Sequence, residues 1–170
     1  MASRITDAVI EAAQQCRLKA YLLLSGEEYN KSSYEKLLIE QHDDLTLRAI
    51  GNIKRAHREI DVATDLNLSV ANLRKGTPFI LSARLENESH SVVFDGLRKI
   101  DGPSVLGDFR YEPVMFCPAR RVRASDRQLL AARAVLLAQV QGALPDGGVI
   151  YLGHNSARTG IRFGPALTQA

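Results

Sequence analysis

Apolar residues recur three to four positions apart through Val9, Ala13, Cys16, Ala20 and Leu24. This spacing predicts a first helix, capped by Thr6 or Asp7 and stopped near Ser25-Gly26. A second stripe, Leu38, Leu45, Ala49 and Ile53, predicts a helix from Ser32-Ser33 to about His57, and His42 falls on that same stripe. The texture changes after the turn signal Gly76-Thr77-Pro78. PFILSARLENE and HSVVFDGLRKI read as two strands of an antiparallel hairpin, joined by the polar segment Glu86–Ser89. Asp101-Gly102-Pro103 predicts a turn, and FRYEPVMF a third strand, although Pro113 inside it has no N–H for a ladder. ASDRQLLAARAVLLAQVQG predicts a helix with Ser125 at its N-cap and Gly142 just past its end. GVIYLG reads as a buried strand and GIRFGP as a short one. The order is helix, helix, three strands, helix, strand: a mixed α/β (α+β) domain with a mostly antiparallel sheet, not a regular βαβ repeat.

Composition narrows this picture only a little. The chain has 170 residues, 45% hydrophobic and 24% charged, which suits one globular domain over residues 1–170 and lacks the composition of a disordered chain. A net charge of +3 says little about nucleic acid, so local clustering matters more. Cys16 and Cys117 make no disulfide framework, which points to reduced thiols. The first residues hold no secretory signal and no stretch reaches the ~20 apolar residues of a membrane span, so the expected location is the cytoplasm. The final GIRFGPALTQA follows a strand with nothing to cap it, so a longer polypeptide is expected to continue from there.

Candidate chemistry centres on Asp95, which follows three apolar residues in SVVFDG. It reads either as a metal ligand at a strand end or as half of an Asp-Gly turn. Phosphodiester hydrolysis needs a divalent metal on hard oxygen ligands. The segment ARRVRASDR gathers Arg120, Arg121, Arg123 and Arg127 near a helix start, either as a phosphate-binding surface or as a solvated loop. Aromatics are 6% with no tryptophan, so no base-stacking platform stands out. His57 and His154 read as surface or loop positions.

Several segments, taken in order, resemble RecB-like nucleases of the PD-(D/E)XK type. CRLKAYLLLSGE resembles the opening motif of the predicted RecB-nuclease and CRISPR-associated exonuclease groups. FDGLRKI resembles their Asp-bearing strand, DFRYEPVMF the next strand, and RQLLAARAVLL the following helix. The likeness spans most of residues 14–150. It implies a restriction-endonuclease-like core and a metal-dependent DNA nuclease working with Mg²⁺ or Mn²⁺. It also implies His42 and Asp95 as metal ligands, Glu112 as the acidic member of the next strand, and Gln128 near the scissile phosphate. Cys16 would match the first ligand of an iron–sulfur cluster whose other ligands would lie in a longer chain. The departures are as specific. If Glu112 is the acidic member, Val114 replaces the motif lysine. In the other register, Met115 and Cys117 replace both acid and lysine. Ala132 stands where relatives carry a helical tyrosine. A degenerate domain that binds nucleic acid or braces a helicase module is therefore the alternative to an active nuclease.

Overall fold

The computed structural model describes residues 4–27, 30–58, 61–153 and 157–164. A two-residue strand, β1 (Ile5–Thr6), leads directly into α1 (Asp7–Gln15). Thr6 caps α1, its side chain accepting the Val9 N–H. The expected single first helix is broken at Cys16, whose φ of −157° is extended, and α2 (Arg17–Leu24) begins afresh. Cys16 is thereby exposed instead of lying on a packed stripe. The second predicted helix is present as α3 (Ser33–Ala56). It is started by a reciprocal cap in which Ser32 accepts the Glu35 N–H and the Glu35 carboxylate accepts the Ser32 N–H.

The sheet follows. β2 (Val62–Thr64) and the short α4 (Val70–Leu73) precede β3 (Phe79–Glu86), β4 (His90–Ser104) and β5 (Gly107–Cys117). Then come α5 (Ala124–Gln141), β6 (Gly147–Leu152) and β7 (Ala157–Arg162). The strand order is β2-β3-β4-β5-β6-β7, with β1 added beside β4. β3–β4–β5 is an antiparallel meander, β5 and β6 run parallel, and β7 returns antiparallel as the edge. The parallel β5–β6 pair needs a long crossover, and α5 supplies it.

Helices cover both faces. Leu45, Ala49 and Ile53 of α3 lie over Phe79, Leu81, Val114, Phe116 and Val149. On the other face, α5 sets Leu136 and Leu137 against Ile80, Ala83, Phe94, Leu97 and Tyr111, and Leu130 against Met115, Cys117 and Ile150. The alternation of β3 flips between Leu81 and Ala83, where Ser82 adopts a left-handed φ of 54°. That conformation costs an L-residue about 1–2 kcal/mol. It sits directly opposite Asp95, between the pairs Leu81↔Gly96 and Ala83↔Phe94.

Three local expectations need correction. Asp95-Gly96 is neither a strand end nor a turn but the middle of a 15-residue strand. The turn expected at Asp101-Gly102-Pro103 is a register irregularity inside β4, and the chain reverses later at Val105-Leu106. The N-cap of α5 is Arg123, not Ser125: the Asp126 carboxylate accepts the Arg123 N–H at 2.7 Å. Pro113, by contrast, fits a central strand. Tyr111, two residues earlier, turns its N–H away from β4 to the Gln141 side-chain oxygen at 2.8 Å. Pro113 turns its nitrogen the same way, just ahead of the first β5–β6 pair, Val114↔Val149, so no ladder bond is lost. No helix among the described residues is long and apolar enough to cross a membrane.

Candidate functional site

The candidate site lies where β4 changes partners. From Gly96 onward β4 pairs with β5; its first residues, His90 and Ser91, pair with β1 on the same edge. Between these two ladders lies a fork with unpaired backbone groups, and two carboxylates fill it. Asp95 accepts the Phe116 N–H at 2.8 Å, the donor that β4 no longer meets. Asp7, at the start of α1, accepts the Val93 N–H at 2.8 Å. A buried N–H left without an acceptor costs about 1–3 kcal/mol, so Asp95 has structural work at the fork; the Val93 bond to Asp7 lies at the exposed side and ties α1 to β4.

Arg133 joins them. It projects from the buried side of α5 and donates to Asp95 at 3.1 Å and to Asp7 at 3.3 Å. Its side chain is 6% exposed, and that of Asp95 is 9%. Burial opposes the charge on Arg133, but Asp95 and Asp7 more than restore it, so the pKa is raised above the ordinary value. Its Nε is buried with no partner among the described residues. Glu11, one turn along α1 from Asp7, borders this group. Loss of hydration pushes its pKa up, Arg133 and His42 pull it back, and Asp7 and Asp95 add to the rise.

The residues expected to form a site are therefore only partly gathered. Asp95 is central, and His42 is close enough to act on Glu11 electrostatically. The last β4–β5 pair is Gly96↔Val114, so Met115 follows it on β5 directly before Phe116, whose N–H meets Asp95, and Cys117 lies two residues further on the same face. These are the positions that the second register assigned to the acid and the lysine. Glu112 lies on the other face, buried and paired with Arg98, whose Nε donates to it at 2.6 Å. Gln128 lines a groove of about 600 Å³ between α1 and α5, with Gln14, Arg17 and Ala132. That is a different side of α5 from Arg133. Arg120, Arg121, Arg123 and Arg127 are all exposed. The loop that carries the first three leaves β5 just past Cys117, at the same end of the sheet as the fork. The His57 ring lies tilted beside Phe79 with ring centroids 5.9 Å apart, and His154 lies outside the described residues.

These donors do not fit Mg²⁺ or Mn²⁺. Asp95 accepts from both Phe116 and Arg133 through Oδ2, Glu112 is across the sheet, and no group of three His, Cys, Asp or Glu side chains converges among the described residues. Cys16 has no second cysteine beside it, since Cys117 is buried in the α5 face of the sheet. Arg133 and Asp7 were missed by sequence reasoning. A signal existed for the first: Arg133 stands on the stripe Leu130, Ala134, Leu137, where a buried arginine demands anionic partners. No protein-family model matches the chain, and no curated protein sequence does.

Proposed function

We propose that this chain is a nuclease-like domain that binds nucleic acid without cutting it. One observation carries the reading: the Arg133 guanidinium bridges Asp95 and Asp7 at the fork, so an internal cation takes the place a catalytic metal would need. Met115 and Cys117, beside Asp95, offer neither an acidic ligand nor an ammonium to a scissile phosphate. The order of helices, antiparallel meander, helix and strand supports the RecB-like resemblance, and the exposed arginines at the start of α5 supply a surface suited to phosphates.

The test uses end-labelled single- and double-stranded DNA with Mg²⁺ or Mn²⁺. No cleavage that depends on Asp95 is expected. Binding should weaken as salt rises, and neutralising Arg120, Arg121 and Arg123 should make the salt dependence shallower by about one unit per arginine. Cleavage that disappears in a folded Asp95→Ala variant, or affinity that is unchanged in the triple variant, would overturn the proposal.

A further inference from the structure

The α3 face of the sheet is covered only in part. The cluster under α3 reaches Val149 and Tyr151 of β6 but takes nothing from β7. Beyond it the strands are open, and a groove of about 330 Å³ is bordered by Arg98, Glu112, Val149, Gly160 and Arg162, and by Asp146, whose carboxylate is paired with Arg110. Register places Tyr151 opposite Arg158, Val149 opposite Gly160 and Gly147 opposite Arg162. Paired residues share a face, so Arg158, Gly160 and Arg162 of β7 all lie on this face of the sheet; Gly160 and Arg162 line the groove itself, and Arg158 extends the face past it toward Tyr151. Both arginines are exposed and make no ion pair among the described residues. Four residues of strand separate them by ~13 Å.

Two further features make this a built surface. A Cβ placed on Gly160 would meet nothing within 4 Å, so packing does not require glycine there; its effect is to keep the floor between the arginines flat. The Arg98–Glu112 pair closes the inner wall, while Tyr151, set edge-on to Phe116, offers a partly exposed ring beside Arg158. The groove also continues from the basic loop. The Gly153 N–H donates to the Cys117 carbonyl at 3.0 Å, which ties the end of β6 to the end of β5, where that loop begins. Arg158 lies one residue in from the same end, since Ala157 pairs with Leu152.

We infer that this uncovered face is a groove for a single nucleic-acid strand, with Arg158 and Arg162 on its phosphates and bases laid over Gly160 and beside Tyr151. Cationic side chains that track a backbone next to an aromatic ring form the usual single-strand platform. The inference rests on the nucleic-acid reading above and extends it to a second face of the molecule.

Fluorescence anisotropy of a labelled single-stranded oligonucleotide with the full chain tests it. Two variants are compared: Arg158→Glu with Arg162→Glu, and Gly160→Val, which adds bulk to the floor in a conformation that suits a strand. Charge reversal should weaken binding by about tenfold or more at low salt, and Gly160→Val by about fivefold with an unchanged melting temperature. A duplex of the same sequence should be indifferent to Gly160→Val. Single-strand affinity within about twofold of wild type in both variants, alongside a loss in the Arg120/Arg121/Arg123 variant, overturns this groove alone. Absence of any binding by the wild-type chain overturns the groove together with the reading it rests on. A duplex equally weakened by Gly160→Val overturns the single-strand assignment.

Discussion

Two arginine–carboxylate arrangements face opposite sides of one sheet, and they differ in what surrounds them. Arg133 is enclosed, shared by Asp95 and Asp7, and joined to backbone N–H groups of β4 and β5 through those carboxylates. Arg98 meets only Glu112 among the described residues, is 34% exposed along its side chain, and borders open space. The first arrangement closes a gap in the backbone ladders. The second forms the wall of a groove and leaves the ladder untouched, since Arg98 and Glu112 are themselves a paired β4–β5 position. A buried acidic residue in this fold is thus not marked by burial alone; its partners decide whether it holds the chain together or borders a surface.

The contrast is sharpest in what truncation should do. Arg133→Met strands two carboxylates at the fork and is expected to cost about 3–5 kcal/mol, read as a lower midpoint in urea unfolding. Adding Asp95→Asn should recover part of that loss, because the amide oxygen can still accept from Phe116; a strictly additive double variant would break the picture of a coupled group. Asp95→Ala alone should cost about 2–4 kcal/mol, since it orphans both the Phe116 N–H and half of Arg133. A residue kept for catalysis at the expense of stability behaves in the opposite way: its removal is neutral or stabilising. A stable Asp95→Ala protein would therefore count against a structural fork.

On the other face, Glu112→Gln should cost only about 1 kcal/mol, because Arg98 retains solvent and an amide oxygen. The smallest effect concerns pH. The Glu11 carboxyl is raised above its ordinary 4.5 in the folded chain, so folding favours its protonated form. Its contribution to stability is present below the unfolded value and declines as pH climbs through the raised one. Glu35 has the reverse sign. Lys19 and then the Ser32 backbone hydrogen bond hold it down at about 2, so its contribution is present above 4.5 and is lost as pH falls from there through about 2. Glu11→Gln should flatten the decline on the rising side and leave the acid limb unchanged, as judged by urea midpoints across the carboxyl range.

Much of the fold was legible because its signals are local. The helix start at Ser32-Ser33, the β3–β4 hairpin and the stop at Gly142 past the end of α5 each need only a few neighbouring residues. The candidate site was less legible because it is assembled over long separations. Asp7 meets Val93 across 86 positions, and Arg133 meets Asp7 across 126. The apolar stripe that predicted one first helix is real as composition. Cys16 nevertheless breaks the helix so that α1 can follow β1 into the fork while α2 takes another course. The sequence also marked Glu112 as a partner for Asp95, but strand parity alone sends residues 112 and 115 to opposite faces.

The fork bears, finally, on the order in which the chain assembles. The β3–β4–β5 meander closes through short reversals and can form early, whereas β1 and α1 must return from the far end of the chain to meet residues already in the sheet. The N-terminal segment is therefore expected to arrive late, with Arg133 and Asp95 as the latch it meets. In hydrogen exchange, the amide of Val93, held by Asp7, should open at lower free energy than those of the β4–β5 ladder a few residues away, marking the boundary between two cooperative units within one strand.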